Sequence, residues 1–325
     1  MEHVDRHPPP LRARRTAPSG VAPGVGERIG LAGVLSGDGP AHRARAARPP
    51  GTAVDRGWRW NVRDAWSPLW WPQGVALGEQ DGGPVALVSW FAQERRGARR
   101  GARVTVVDLR DERRPRYRHV LLVAVGPGGR LDPVPIHAGG IAWIGARLYV
   151  AATFGGIREF RLDDIARTAG PFGHRFVLPQ HAEFAPEGAR HERLRYSFVS
   201  AVDGDELVAG EYRADASGRI ARLRVDDERA EVVEVFTPGI PQMQGVALRG
   251  GVWFVSASHG DRRAGDLWSG RRDGLVRREG AIPPGPEDVA LDGDGRLWGV
   301  SEFPRRRWLY RLSVATDGSS GAAGR

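Results

Sequence analysis

The stretch Gln73-Gly74-Val75-Ala76-Leu77 decides the fold, because the chain repeats it. It returns as Gly139-Gly140-Ile141-Ala142-Trp143, as Gln244-Gly245-Val246-Ala247-Leu248 and as Glu287-Asp288-Val289-Ala290-Leu291. Ser197-Phe198-Val199-Ser200-Ala201 is a weaker copy. A polar or small opening followed by an apolar run, repeated every ~40 to 65 residues, is the signature of a repeat architecture of propeller type.

Outward from each copy the same order of elements recurs. A turn follows, at Gly78–Gly83, Gly145-Ala146, Asp203-Gly204-Asp205, Gly250-Gly251 or Asp292–Gly295, and Asp-Gly and Gly-Gly pairs permit the positive φ that tight hairpins need. Next come the second runs Val85–Trp90, Leu148–Thr153, Leu207–Tyr212, Val252–Ala257 and Leu297–Glu302. Third runs lie at Arg103–Leu109, Gly156–Leu162, Arg219–Val225, Asp266–Arg271 and Trp308–Val314. Upstream of each phrase is one more candidate strand: Trp58–Trp66, Tyr117–Val125, His174–Leu178, Glu231–Thr237 and Leu275–Ala281. Continuous apolar runs suit strands covered on both faces, and alternation such as Arg222-Leu223-Arg224-Val225 suits a solvated edge.

The expectation is an all-β, five-bladed β-propeller of four-stranded antiparallel blades over residues 57–314. Each unit takes its upstream strand as its own, so the ring closes at the seam without strand exchange. Asp163–Arg195 is long enough to conceal a sixth, degenerate blade. Helix is expected only as a turn near Asp163–Ala169, with Asp163 or Asp164 as cap.

Residues 1–56 carry Pro8-Pro9-Pro10, Arg14-Arg15 and Pro49-Pro50 with no apolar period, so they read as a disordered arm, and 315–325 as a disordered tail. Arg14-Arg15 has no uninterrupted apolar stretch after it, so no export signal is read. The arm is either a flexible tail or a stretch ahead of the true start. No run is long enough for a membrane span.

The net charge is +9 and the sequence holds 48 basic residues, all of them arginine; Asn61 is the one asparagine. Arginine enrichment without lysine reflects codon usage in a GC-rich genome more than polyanion recognition, and nucleic acid is disfavoured as a partner. The densest basic run, Arg95–Arg103, reads as a solvated hairpin loop. With no cysteine, disulfides, thiolate metal sites and cysteine nucleophiles are excluded. Nucleophile-elbow, zinc-protease and phosphate-loop motifs are absent.

In a propeller the inner strands line a central channel. The repeat places Gln73, Ser197, Gln244 and Glu287, with Gly139 and nearby His137, at its mouth. Gln73, His137, Ser197, Gln244 and Glu287 are the candidate ligand-binding residues. Two readings stay open: polar caps that bond neighbouring backbone, or a ligand site. Glu211, Glu287, Asp288 and Glu302 are the hard-oxygen candidates for Ca²⁺ or Mg²⁺, while His137 and His259 would suit a transition metal. Glu287 lacks an obvious second acid for paired-carboxylate hydrolysis, with Glu211 or Glu302 as the candidates. The eleven tryptophans either pack blade on blade or, as Trp70, Trp71 and Trp90, flank the mouth.

His137-Ala138-Gly139-Gly140-Ile141-Ala142, Leu148-Tyr149-Val150-Ala151, Arg175-Phe176-Val177-Leu178-Pro179-Gln180, Tyr196-Ser197-Phe198-Val199-Ser200 and Leu207-Val208-Ala209-Gly210-Glu211-Tyr212 resemble a family of actinobacterial β-propeller proteins, often described only as secreted. The resemblance spans residues 58–314. It implies a propeller without assigned activity and an extracellular setting, although this sequence lacks the family's export signal. A more distant likeness, of fold only, is to gluconolactonase-type propellers. Those hold a divalent ion in an acid and amide cluster; this chain has no asparagine at the phrase positions and offers Gln73 and Gln244. The expected function is a binding or interaction scaffold, acting as a monomer on a small ligand, glycan or protein. The alternative is a divalent-metal lactonase-like hydrolase.

Overall fold

A computed structural model describes residues 7–16, 25–37, 39–93, 100–202 and 204–314. The chain forms a β-propeller in which each recurring phrase is an inner strand. Blade 1 runs from the inner strand Trp70–Gln80 through Gly83–Ala92 and Ala102–Asp108 to the outer Arg116–Val125. Blade 2 is Ile141–Ile144, Arg147–Ala151, Ile157–Arg161 and Phe176–Pro186. Blade 3 is Phe198–Ala201, Glu206–Gly210, Ile220–Val225 and Arg229–Phe236. Blade 4 is Met243–Arg249, Val252–Ala257, Gly265–Gly270 and Val276–Ile282. Blade 5 is Pro286–Leu291, Leu297–Ser301 and Trp308–Leu312, completed by Val54–Arg59 from the other end of the chain. Each inner strand neighbours the next, and the fifth neighbours the first.

Blade 5 corrects the expected seam. Trp308 pairs with Arg59, Leu309 with Trp58 and Tyr310 with Gly57, so the ring closes by strand exchange. The third strand of a blade turns back through a short hairpin onto the strand after it, as Asp108 does onto Arg116. The strand upstream of each phrase therefore belongs to the blade before. The sequence admits both groupings because each yields four strands per unit. Trp58–Trp66 is accordingly not one strand. It leaves the sheet after Arg59 and enters helix α2, Val62–Ala65, whose N-cap Asn61 accepts from the Asp64 amide at 2.9 Å. Asp163–Arg195 supplies helical turns at Leu162–Asp164 and Pro171–Gly173, a two-residue strand and the outer strand of blade 2.

The N-terminal arm is the second correction. Its described parts are ordered against the propeller. Leu11–Arg15 adds a fifth strand to blade 2, from Leu11 opposite Pro186 to Arg15 opposite Ala182, and also meets Ala230 at the edge of blade 3. Helix α1, Gly30–Ser36 (preceding α2 in the chain), buries Leu31 and Val34 against blades 1 and 2. Arg45–Ala47 pairs outside Val54–Arg59. A sheet edge offers main-chain donors and acceptors to any extended segment, so an arm without apolar periodicity still gains partners there. Residues 315–325 and most of the Arg95–Arg103 run lie outside the described residues.

Buried apolar side chains form a cluster between each pair of neighbouring blades. The seam is rich in tryptophan. Trp58 stacks on Trp298 with centroids 5.2 Å apart, and Trp60 meets Trp90 edge-on. Trp90 is fully buried, so it packs blades and does not flank the mouth. Along the axis the inner strands touch. A Cβ on Gly140 would lie 2.4 Å from the Val199 nitrogen, and one on Gly245 would lie 2.5 Å from the Asp288 Cα. Glycine is required at both positions by this close approach.

Candidate functional site

Asp288 is fully buried at the axis and ties together the inner strands around it. One carboxyl oxygen accepts from the Val75 and Ile141 amides, each at 3.3 Å, and the other from its neighbour Val289 at 3.0 Å. Ser200 Oγ is 3.4 Å from that second oxygen and 3.2 Å from the Val289 carbonyl. Burial pushes the carboxyl well above the usual range, and the amide donors only partly oppose this.

Glu287 and Glu302 hydrogen-bond to each other. Glu287 is 4% exposed; burial, and the charges of Glu302 and Asp288, hold it well above the carboxylate range. Glu302 is pushed up to about 7 by burial, against the pull of Gln73 and Arg307. Gln73, itself buried, donates to Glu302 Oε2 at 3.0 Å and to the Pro72 carbonyl at 2.9 Å. The pair therefore shares a proton near neutrality, with Glu287 as donor. Beside it, Trp71 meets Phe303 edge-on at 5.7 Å, and the Arg307 guanidinium is 5.2 Å from the Trp71 ring. Arg307 is fully buried, bonded to the carbonyls of Asp64 and Ser67.

The remaining sequence candidates are spread around the ring. Ser197 Oγ is buried without a hydrogen-bond partner among the described residues, and Gln244 is half-buried on the inner strand of blade 4. His137 is exposed, with its ring 4.2 Å from that of Phe91. Glu211 is held by Arg219 through two charged contacts of 2.9 and 3.1 Å and by the amides of Arg195 and Arg219. His259 pairs with Asp266 at 2.7 Å. Among the described residues, the group of three metal-ligating side chains that converges within 4.8 Å is His42, Asp64 and His119. Glu211, Glu287, Asp288 and Glu302 do not form such a set, because Glu211 is occupied by arginine and Asp288 by main-chain amides.

The His42, Asp64 and His119 cluster lies on the rim of blade 1 and includes none of the expected mouth residues. Asp64 projects from α2, His119 from the outer strand, and His42 from a short strand opposite Tyr117. Asp64 accepts from Arg103 at 3.0 Å, from Tyr117 Oη at 2.7 Å and from His119 Nε2 at 3.2 Å. Burial alone would raise Asp64; His119, Arg103 and Tyr117 together bring it far below the carboxylate range. Burial lowers His119 to about 3, so its imidazole is neutral and acts on Asp64 as an N–H donor, leaving Arg103 as the charge. Thr105 Oγ1, 2.7 Å from Nδ1, fixes that tautomer by donating to it. Two histidines and a carboxylate are a donor set for a transition metal. The arginine on Asp64 competes with any such cation.

None of these rim residues stood out in the sequence. Asn61-Val62-Arg63-Asp64 carries a cap residue with an acid three positions on, a helix-start signal that would have separated α2 from the strand before it. Nothing local joins His42, Asp64 and His119.

No protein-family model and no curated protein sequence matches the chain. Among solved structures, a gluconolactonase from Xanthomonas campestris is similar at 16% identity and a TM-score of 0.43, covering 85% of this chain and 88% of that one. A glucose dehydrogenase matches at 11% identity and 0.41, covering 93% and 99%. The glutaminyl cyclase of Myxococcus xanthus matches at 14% and 0.39, covering 84% and 97%. The fold assignment rests on the strand pairings themselves. Among the described residues, no helix is long and apolar enough to cross a membrane.

Proposed function

We propose that this propeller is a binding scaffold whose ligand seat is the channel mouth at Gln73, Glu287 and Glu302, with His137, Ser197 and Gln244 on its wall. The observation that carries the reading is the proton-sharing Glu287–Glu302 pair capped by Gln73. A carboxylate and a carboxylic acid side by side, next to the aromatic pair Trp71 and Phe303, offer acceptors, a donor and an apolar face. That combination suits a neutral, hydroxyl-rich small molecule of the sugar class.

Binding is favoured over hydrolysis on geometric grounds. Carboxyls in direct contact are closer than the ~5 Å or more that glycoside hydrolysis requires. The lactonase-like alternative with Ca²⁺ or Mg²⁺ needs converging free oxygens, and two of its four candidates already have their lone pairs occupied. Membership of the actinobacterial secreted propellers would fit an extracellular glycan-binding role.

Thermal shift and calorimetry against neutral mono- and disaccharides test the reading. Binding that weakens about tenfold in Glu302→Gln and in Gln73→Ala is expected. Absence of any saccharide binding, or binding indifferent to both changes, rejects it.

A further inference from the structure

The rim of blade 1 holds a pocket of about 370 Å³ that the mouth does not share. Arg63, Arg100, Arg103, Arg118 and Arg175 line it, and among the described residues its one acid is Asp64. Asp64 is already engaged by Arg103, Tyr117 and His119, so it offers little to a cation and, among the described residues, leaves the other guanidiniums without an acid. Arg118 directs its donors to the carbonyls of Val34, Leu35, Gly37 and Gly39. Among the described residues, Arg63, Arg100 and Arg175 have no ion pair, unlike Arg158, Arg219, Arg277 and Arg311. The imidazoles contribute no charge: burial lowers His42, His119 and His174.

The pocket is built rather than an accident of surface charge. Arg103, 5% exposed, lies between the rings of Trp70 at 4.4 Å and Trp90 at 5.0 Å, and its Nε has no hydrogen-bond partner among the described residues. On the opposite wall, Phe172 adopts φ +56°, a left-handed conformation that costs an aromatic residue ~1 kcal/mol or more. Its ring is half-exposed, with Arg100 stacked 4.6 Å from the centroid. Backbone strain of this kind concentrates where a loop is held for a ligand.

We infer that this pocket binds a small phosphomonoester carrying a ring. Guanidinium forks match the geometry of a phosphate, and Phe172 with the edge of Trp70 offers the ring a face. The volume is near the lower end for ligand pockets, in the range of a sugar phosphate or a nucleoside monophosphate. The Asp64–Tyr117–His119 network orients Arg103 as the pocket floor.

The test is calorimetry on the full chain with inorganic phosphate, glucose 6-phosphate and adenosine 5′-monophosphate, with glucose and adenosine as neutral controls. Both phosphomonoesters are expected to bind more tightly than inorganic phosphate, and more weakly as salt rises. The Arg100→Ala/Arg175→Ala variant, changed at residues outside the core, should lose at least about tenfold in affinity at unchanged Tm. A preference for one phosphomonoester would name the ring. The inference is overturned if neither binds at low salt, or if both bind the double variant equally well. It is also overturned if a single-stranded oligonucleotide alone binds, or if Zn²⁺ binds stoichiometrically and phosphomonoesters do not. Saccharide binding at the mouth is indifferent to Arg100 and Arg175, so failure at either site is read separately.

Discussion

Asp288 at the axis and Asp64 at the rim are both buried carboxyls with several donors each, and they end in opposite states. Asp288 receives only neutral donors, main-chain amides and a serine, and burial leaves it well above the usual range. Asp64 receives a guanidinium along with a tyrosine and a histidine, and it stays ionised far below that range. Donor count does not separate them. What differs is whether one of the donors carries a full charge. The axial carboxyl acts as a neutral pin between strands, and the rim carboxyl as the counter-ion of a buried arginine.

Breaking the rim pair gives the largest effect. Asp64→Asn leaves Arg103 buried and uncompensated, and about 3–5 kcal/mol of stability should be lost in chemical denaturation. Adding Arg103→Met should restore much of it. If Asp64→Asn costs no more than Asp288→Asn, the contrast between the two carboxyls is wrong. Next comes the axis itself: Gly140→Ala forces a Cβ into the Val199 backbone and should cost about 1–3 kcal/mol, whereas Gly274→Ala, open on all sides, should stay within about 0.5 kcal/mol. Asp288→Asn keeps shape and neutrality but turns one amide N–H toward another donor, for about 1–2 kcal/mol.

The smallest effect is the dependence on pH. Glu302 is raised in the folded state to about 7, so its contribution is complete below its unfolded value near 4.5 and is lost as pH rises through 7. Water at its exposed edge reduces this to on the order of 1 kcal/mol. Asp64 behaves in the opposite sense, contributing above the carboxylate range and losing that contribution on acidification. Glu302→Gln should flatten the stability profile between pH 4.5 and 7 while leaving the acid limb unchanged. A profile that keeps its slope in the variant assigns the titration to another group.

The shared position of Gln73 and Glu287 in the phrase was legible, because a repeat aligns its own copies, and both meet Glu302. The joining of Glu287 to Glu302 was not, since two acids in successive strands have no sequence distance that fixes their contact. The rim was invisible for the same reason. His42, Asp64 and His119 come from the arm, a four-residue helix and an outer strand, and none of those segments signals the others.

Inner, second and third strands in a recurring order, the residues that turn and those that bury were all readable along the chain. Each of those is a local property, set by periodicity and by glycine at tight turns. The blade to which an upstream strand belongs, the closure of the ring by Val54–Arg59 on Trp308–Leu312 and the docking of the arm on sheet edges are set in three dimensions. A strand's alternation fixes that it must pair and which face it buries. It does not name the partner, because main-chain hydrogen bonds are the same for every neighbour, and the choice falls to the packing of the whole ring.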